Sequence, residues 1–213
     1  MKYLLCVLSI LVLFTSCKKE EKEGCTNPSA VNYDSNANLD NGSCEFPPEI
    51  EIGQFYQGGI VFYLDGSGGG LIAASEDQIT DNSAEWGCYN QEITGAFGNS
   101  IGTGKQNTVD ILSSACQPNN SLRSIAAFIC DTLNLNGYDD WFLPSKDELN
   151  AMYENIGSGN SLGLENIGNF ALTYYWSSTQ RNAYEAWKQN FGDGYAGSYC
   201  KFAGYLVRAA RSF

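Results

Sequence analysis

The spacing of apolar residues changes repeatedly along the chain, and each change predicts an element. After the basic start Met1-Lys2, an unbroken apolar run from Tyr3 to Phe14 is too short to span a bilayer with margin. It reads as the hydrophobic part of an export signal. Apolar residues are then sparse until Ile50. "GGIVFYLDGSGGGLIAAS" predicts two strands, Ile60–Leu64 and Leu71–Ala74, across a glycine-rich turn. Between Asn107 and Leu133 the positions Val109, Ile111, Leu112, Ile125, Ala126, Phe128, Ile129 and Leu133 predict two helices, parted by a loop at Gln117–Ser121. In "WFLPSKDELNAMYENI", Pro144, the cap Ser145 and Glu148 three residues on form the start of a capping-box helix. Three strand-like pieces follow, Ala171–Ser177, Glu185–Phe191 and Tyr205–Ala210. Before the last of them, "GDGYAGSYCKFAG" has neither helical nor strand period.

Composition narrows the function. With 213 residues the chain has room for one domain of ordinary size plus appendages. A formal charge of −12 argues against nucleic acid, whose phosphates need a basic surface, and against adsorption on anionic lipid. The absence of histidine removes the usual general base near neutral pH and the commonest metal ligand. "GNSIGTGKQN" lacks the spacing of a phosphate loop, so Lys105 reads as a loop lysine.

Thr15-Ser16-Cys17 resembles the lipobox of bacterial lipoproteins, with Phe14 where an aliphatic residue is usual. That resemblance implies a signal peptide at 1–16 and lipid on Cys17. Loss of Lys2 with the signal would take the charge from −12 to −13. The charged tether at 17–24 contains "KKEEKE", which resembles tags that send lipoproteins to the outer face of the outer membrane. The expected address is the outer membrane, facing the exterior, with the membrane touched only through the lipid anchor. Cys25, Cys44, Cys88, Cys116, Cys130 and Cys200 remain, an even number that in an exported chain reads as disulfides. Residues 25–46 have too few apolar side chains for a core, so a Cys25–Cys44 bridge is the natural staple. Within them Asp34, Asn36, Asn38, Asp40 and Glu45 sit at positions 1, 3, 5, 7 and 12 of a calcium-type loop. Leu39 takes the position where an EF-hand needs glycine, so calcium is a candidate cofactor beside a default reading as an Asx-turn-rich spacer. Residues 47–51 form a stiff linker, leaving 52–213 as the main domain.

Four stretches of that domain, "IGTGKQNT", "GYDDWFLPSKDELNAMY", "YYWSST…AWKQNF" and "YLVRAARSF", together resemble the Lcl C-terminal-domain family. This family is a branch of the C-type-lectin-like and formylglycine-generating-enzyme-like folds. The resemblance runs from about Ile52 to Phe213. It implies an α+β, C-type-lectin-like domain with two or three helices and short antiparallel strands. Trp141, Phe142, Leu143, Trp176 and Trp187 would be core. Arg208 and Arg211 would hold carboxylates such as Asp139, Asp140 or Glu148. Cys88, Cys116 and Cys130 look like framework, with Cys116–Cys130 the favoured bridge and Cys200 either a partner for Cys88 or a spare thiol. The fold family includes an oxidase that uses paired cysteines. Here Cys200 stands alone near the end and no base is placed by a motif, so no catalysis is expected.

Tyrosines set among glycine and serine are what paratopes use: large amphipathic contacts at low rotamer cost on an adaptable backbone. Arg181, Tyr184, Lys188, Asp193, Tyr195, Ser198, Tyr199, Phe202 and Tyr205 are accordingly the expected contacts for an extracellular protein or carbohydrate ligand. The segment also resembles the variable region of proteins diversified by retroelements that mutate template adenines. Between Gly192 and Tyr205, thirteen of fourteen residues are of types that such codons encode, Lys201 being the exception. The competing expectation is a structural envelope or matrix protein without a specific ligand.

Overall fold

The computed structural model describes residues 20–47 and 49–213; the segment expected to be a signal peptide and Cys17, the expected lipidation site, lie outside the described residues. Two compact units result, and the second begins at Ile50. In the first, β1 (Glu23–Gly24) pairs in parallel with β2 (Leu39–Asp40). Cys25 and Ala30 are its buried apolar residues among those described, and the expected Cys25–Cys44 disulfide closes it at a Cα–Cα distance of 4.8 Å. A covalent link here substitutes for the core that so short a segment cannot build.

The second unit has two sheets and three helices, the α+β architecture expected. Its elements are β3 (Phe55–Tyr56), β4 (Gly59–Leu64), β5 (Gly70–Ala73), β6 (Ile79–Ala84), α1 (Gly104–Ser113), α2 (Ala126–Asp131) and α3 (Lys146–Ile156). Then come β7 (Tyr174–Gln180), β8 (Glu185–Asn190), β9 (Ala196–Cys200), β10 (Tyr205–Val207) and β11 (Ala210–Ser212). One sheet has the order β11-β5-β4-β3 and the other β6-β10-β7-β8-β9. Every pairing in them is antiparallel except β10 with β7.

Strand alternation divides the core. Trp176 and Val207 point to one face of the five-stranded sheet and pack with Trp86, Trp141, Ile111 and Ala127. Their neighbours Tyr175 and Leu206 point to the other face and pack with Phe62, Phe142, Leu149, Met152 and Phe191. The capping box forms as read: Ser145 Oγ accepts from Glu148 N, and Glu148 Oε2 accepts from Ser145 N at 2.7 Å. Glu148 is fully buried and also accepts from Gly102 N at 2.7 Å, so one carboxylate ties the α3 start to the loop before α1.

The last predicted strand is two strands. Between them the chain leaves the five-stranded sheet for the four-stranded one, and Arg208 marks the crossing. Its side chain is wholly buried; Nε and Nη2 donate to Asp77 Oδ1 at 2.9 and 2.6 Å, and Nη1 donates to Ala74 O and Gly168 O. Tyr175 Oη donates to the other Asp77 oxygen at 2.8 Å. The partner of Arg208 is thus Asp77, not Asp139, Asp140 or Glu148, whereas Arg211 does hold Asp140, with Nε 2.5 Å from Oδ1.

Other expectations are corrected. Lys105 lies in α1, not in a loop. β6, "ITDNSA", is too polar to show a strand pattern, yet pairs with β10. The favoured Cys116–Cys130 bridge does not form: Cys116 bonds Cys88, at a Cα–Cα distance of 4.7 Å, and Cys130 and Cys200 are free. Cys88 N donates to Gln117 O, which lays the two loops side by side, while Cys130 sits on the inner face of α2 in the core.

Two outcomes test this frame. Replacing Arg208 by methionine leaves the largely covered Asp77 carboxylate without its cation and should cost about 3 kcal/mol, read as a fall in the urea midpoint. Alkylation of the folded chain followed by peptide mass analysis should mark Cys200, mark Cys130 only after unfolding, and recover Cys88 with Cys116 as one disulfide-linked peptide.

Candidate ligand-binding face

The tyrosine–glycine stretch forms the edge strand β9, hairpinned to β8 with Gln189 opposite Ala196 and Glu185 opposite Cys200. Its turn is set by short polar side chains: Asn190 Oδ1 accepts from Gly192 N and Asp193 Oδ1 from Tyr195 N. Gly194 adopts a φ of +77°, a region that disfavours side chains, and a Cβ there would also lie 2.7 Å from the Tyr153 ring. At Gly197 a Cβ would meet the Tyr195 ring at 2.8 Å, so the glycine lets that ring lie across the strand. The strand period is broken here because Gly197 has no side chain and the Tyr195 ring takes its place.

The predicted contact residues divide into three groups. On one face Tyr195 and Tyr199 are 60% and 51% exposed, and Tyr205 is half-buried between Trp176 and Tyr174, at ring distances of 4.7 and 5.4 Å. Lys188 belongs here but is not the exposed contact expected. It is 6% exposed, with Nζ 3.2 Å from the Tyr174 ring centre and 5.2, 5.7 and 5.9 Å from those of Tyr205, Tyr195 and Tyr199. Burial lowers the pKa of this ammonium, and the charge of Asp193 opposes that shift. Burial, with the neighbouring Tyr199, Tyr174 and Cys200 behind it, pushes the Tyr205 hydroxyl up to about 12.

The opposite face carries Arg181, Glu185 and Ser198 in a closed triangle. Arg181 Nη1 lies 2.9 Å from Glu185 Oε2 and donates to Ser198 Oγ at 2.9 Å, and Ser198 donates back to Glu185. Trp187, expected in the core, is on this face and only half-buried, with Lys146 Nζ 4.5 Å from its ring centre. A third group caps the hairpin's open end. Tyr184 and Phe202 flank Tyr89 at ring distances of 5.6 and 4.9 Å, all three exposed. Tyr89 was not legible as a contact because it comes from the loop beside the Cys88–Cys116 disulfide, far away in sequence. Asp193 is exposed at the turn.

Lys201, the one residue of its segment outside the encodable set, belongs to the frame. It is fully buried, donates to Gln91 O and Gln180 Oε1 at 2.8 and 2.9 Å, and stands 4.3 Å from the Trp86 ring centre. Burial pulls its pKa down to about 8. A cavity of about 620 Å³ opens beside α2, lined by residues such as Leu112, Cys116, Pro118, Arg123 and Phe128, none of them from the hairpin.

In the first unit, three of the candidate calcium ligands, Asp34, Asn38 and Asp40, have a side-chain oxygen engaged by the chain itself. Asp34 pairs with Lys22 at 2.8 Å and accepts from Asn36 N, Asn38 Oδ1 accepts from Lys22 N, and Asp40 Oδ1 accepts from Gly42 N. Glu45 N donates to Asn32 Oδ1. Such side-chain-to-backbone bonds are those of Asx turns. Among the described residues, no group of three or more His, Cys, Asp or Glu side chains is placed to hold a metal.

The family model of the Lcl C-terminal domain matches residues 81–211, and the chain belongs to that family. The match thus covers β7 through β10, with the whole hairpin, and begins inside β6 rather than near Ile52. Comparison with curated proteins gave no match.

Lys201 makes stability depend on pH. Its folded pKa of about 8 lies below the ordinary 10.5, so above pH 8 the unfolded chain holds more protons than the native one. Between pH 8 and about 10 the buried Cys130 thiol pulls the other way, since only the unfolded chain gives up that proton. The urea midpoint of the native chain relative to Lys201→Met should therefore shift in favour of the native chain as the pH rises from 8 to about 10.

Proposed function

We propose that this chain is a lipoprotein held at the outer face of the outer membrane through Cys17, whose Lcl C-terminal domain binds an external protein or glycan on the β8–β9 hairpin. One observation carries the reading. Four large aromatic side chains, Tyr184, Tyr195, Tyr199 and Phe202, are 40–60% exposed on and beside an edge hairpin whose backbone is fixed by a buried frame. Isolated exposed aromatics are ordinary, but a row on one short hairpin is a contact surface. Ordering costs little there, because the strand is already paired and each tyrosine has only two side-chain torsions to fix. That Lys201, the one residue outside the encodable set, is fully buried while Asp193, Tyr195, Tyr199 and Phe202 are exposed is consistent with diversification of this segment. A near-copy of its coding sequence with adenines at the variable codons, beside a reverse transcriptase gene, is the matching genomic sign.

The test is adhesion of cells expressing the chain to a panel of purified extracellular proteins and immobilised glycans. Tyr195→Ala with Tyr199→Ala should lower retention at least tenfold while stability stays within about 0.5 kcal/mol per site, as for surface substitutions. Tyr205→Ala should instead cost about 2 kcal/mol, since its ring packs on Trp176. Unchanged adhesion in the double variant would refute the reading.

A further inference from the structure

Four cations are buried among the described residues, Lys188, Lys201, Arg208 and Arg211. Three of them have oxygen partners. Lys201 has a carbonyl and an amide oxygen, Arg208 has Asp77 and two carbonyls, and Arg211 has Asp140 and Gln57 O. Lys188 is the exception. Its ammonium has four tyrosine rings within 6 Å and, among the described residues, neither a hydrogen-bond acceptor nor an ion pair. Ring faces attract a cation but do not replace the oxygen atoms that it gives up on leaving water. Every fully buried side-chain nitrogen or oxygen among the described residues does have a partner. The Lys188 nitrogen is therefore not sealed from solvent, and an incoming group can replace the water there. Asp193 is the carboxylate whose charge acts on it, yet among the described residues it forms no ion pair, and its Oδ1 accepts from Tyr195 N.

We propose that Lys188 receives one carboxylate of a protein ligand, an aspartate or glutamate side chain that enters between Tyr174, Tyr195, Tyr199 and Tyr205. This rests on the hairpin reading above and names the chemistry at its centre. A carboxylate supplies the charge-assisted hydrogen bond that the ammonium lacks, and the surrounding rings exclude water from it, as around the strongest contacts of protein interfaces. The formal charge of −12 repels a polyanion and leaves a single inserted carboxylate as the acceptable form. A protein fits better than a saccharide because a second exposed aromatic group, Tyr89, Tyr184 and Phe202, lies at the other end of the hairpin. At about 3.4 Å per residue, the five residues of β9 alone extend it by ~17 Å, the scale of a protein footprint.

The probe is a library of random displayed peptides selected on the full-length mature chain. Recovered binders should share an aspartate or glutamate, and synthetic copies with the matching amide should bind at least tenfold more weakly. On Lys188→Met the acid and amide forms should bind alike, with the variant's thermal midpoint retained; the amide exchange also reads the effect on the unaltered chain. Binders without a required acid, no binders, or binding of uronic-acid oligosaccharides in place of every peptide would each overturn the carboxylate site. If Tyr195→Ala with Tyr199→Ala loses the peptides while Lys188→Met keeps the acid–amide difference, this site falls and the hairpin reading stands. If neither variant alters peptide binding, both fall.

Discussion

A guanidinium with no exposure holds the seam between the two sheets. Arg208 stands where the chain passes from β10 to β11, and its five donors go to Asp77 and to carbonyls of the loops around Ala74, Gly168 and Asn169. Asp77 is fixed in turn by Tyr175, whose hydroxyl also accepts from Ala171 N. A wholly buried charge is costly unless it is paired or hydrogen-bonded, and here the partners come from different segments. The pair therefore works less as a source of net stability than as a specification: loops remote in sequence have one arrangement in which all of these groups are satisfied. The parallel pairing of β10 with β7 depends on it, and β7 is the strand against which the hairpin lies.

From that seam the logic runs outward to the surface. β8 is held along its length by β7, and Lys201 pins the far end of β9 through the carbonyl of Gln91 and the amide of Gln180, which itself bonds both backbone groups of Ile93. Glu148 does the corresponding work at the start of α3, whose Asn150 meets Gln189 of β8. Polar side chains buried in the frame thus fix the backbone of a hairpin whose own exposed side chains are aromatic. The exposed rings of Tyr195 and Tyr199 are thus separate from the residues that hold the backbone, whereas Lys188 and Tyr205 are packed into the fold.

Much of this was legible in the sequence where one rule dominated. Ser145 and Glu148 announced the α3 start because a capping box needs both at that spacing. Trp141, Phe142, Leu143 and Trp176 were identified as core and are buried. The Cys25–Cys44 bridge followed from the lack of anything else to close its segment. Strand parity was not legible at β8. Trp187 and Lys188 are neighbours, so one must face inward, and composition alone assigns tryptophan to the core. The structure does the reverse, because the inward side at that level is a ring of tyrosines that accepts an aliphatic stem and an ammonium. Cys88 and Tyr89 were obscured for another reason: their partners are brought to them by loop packing, to which no periodicity refers.

Gly197 carries a consequence for how such a surface could evolve. Because the Tyr195 ring lies over it, any side chain placed at 197 must lift that ring before it can be accommodated. The two sites are mechanically linked, so the effect of a substitution at one depends on what occupies the other. Were the proposed diversification to act here, these two positions would change as a couple.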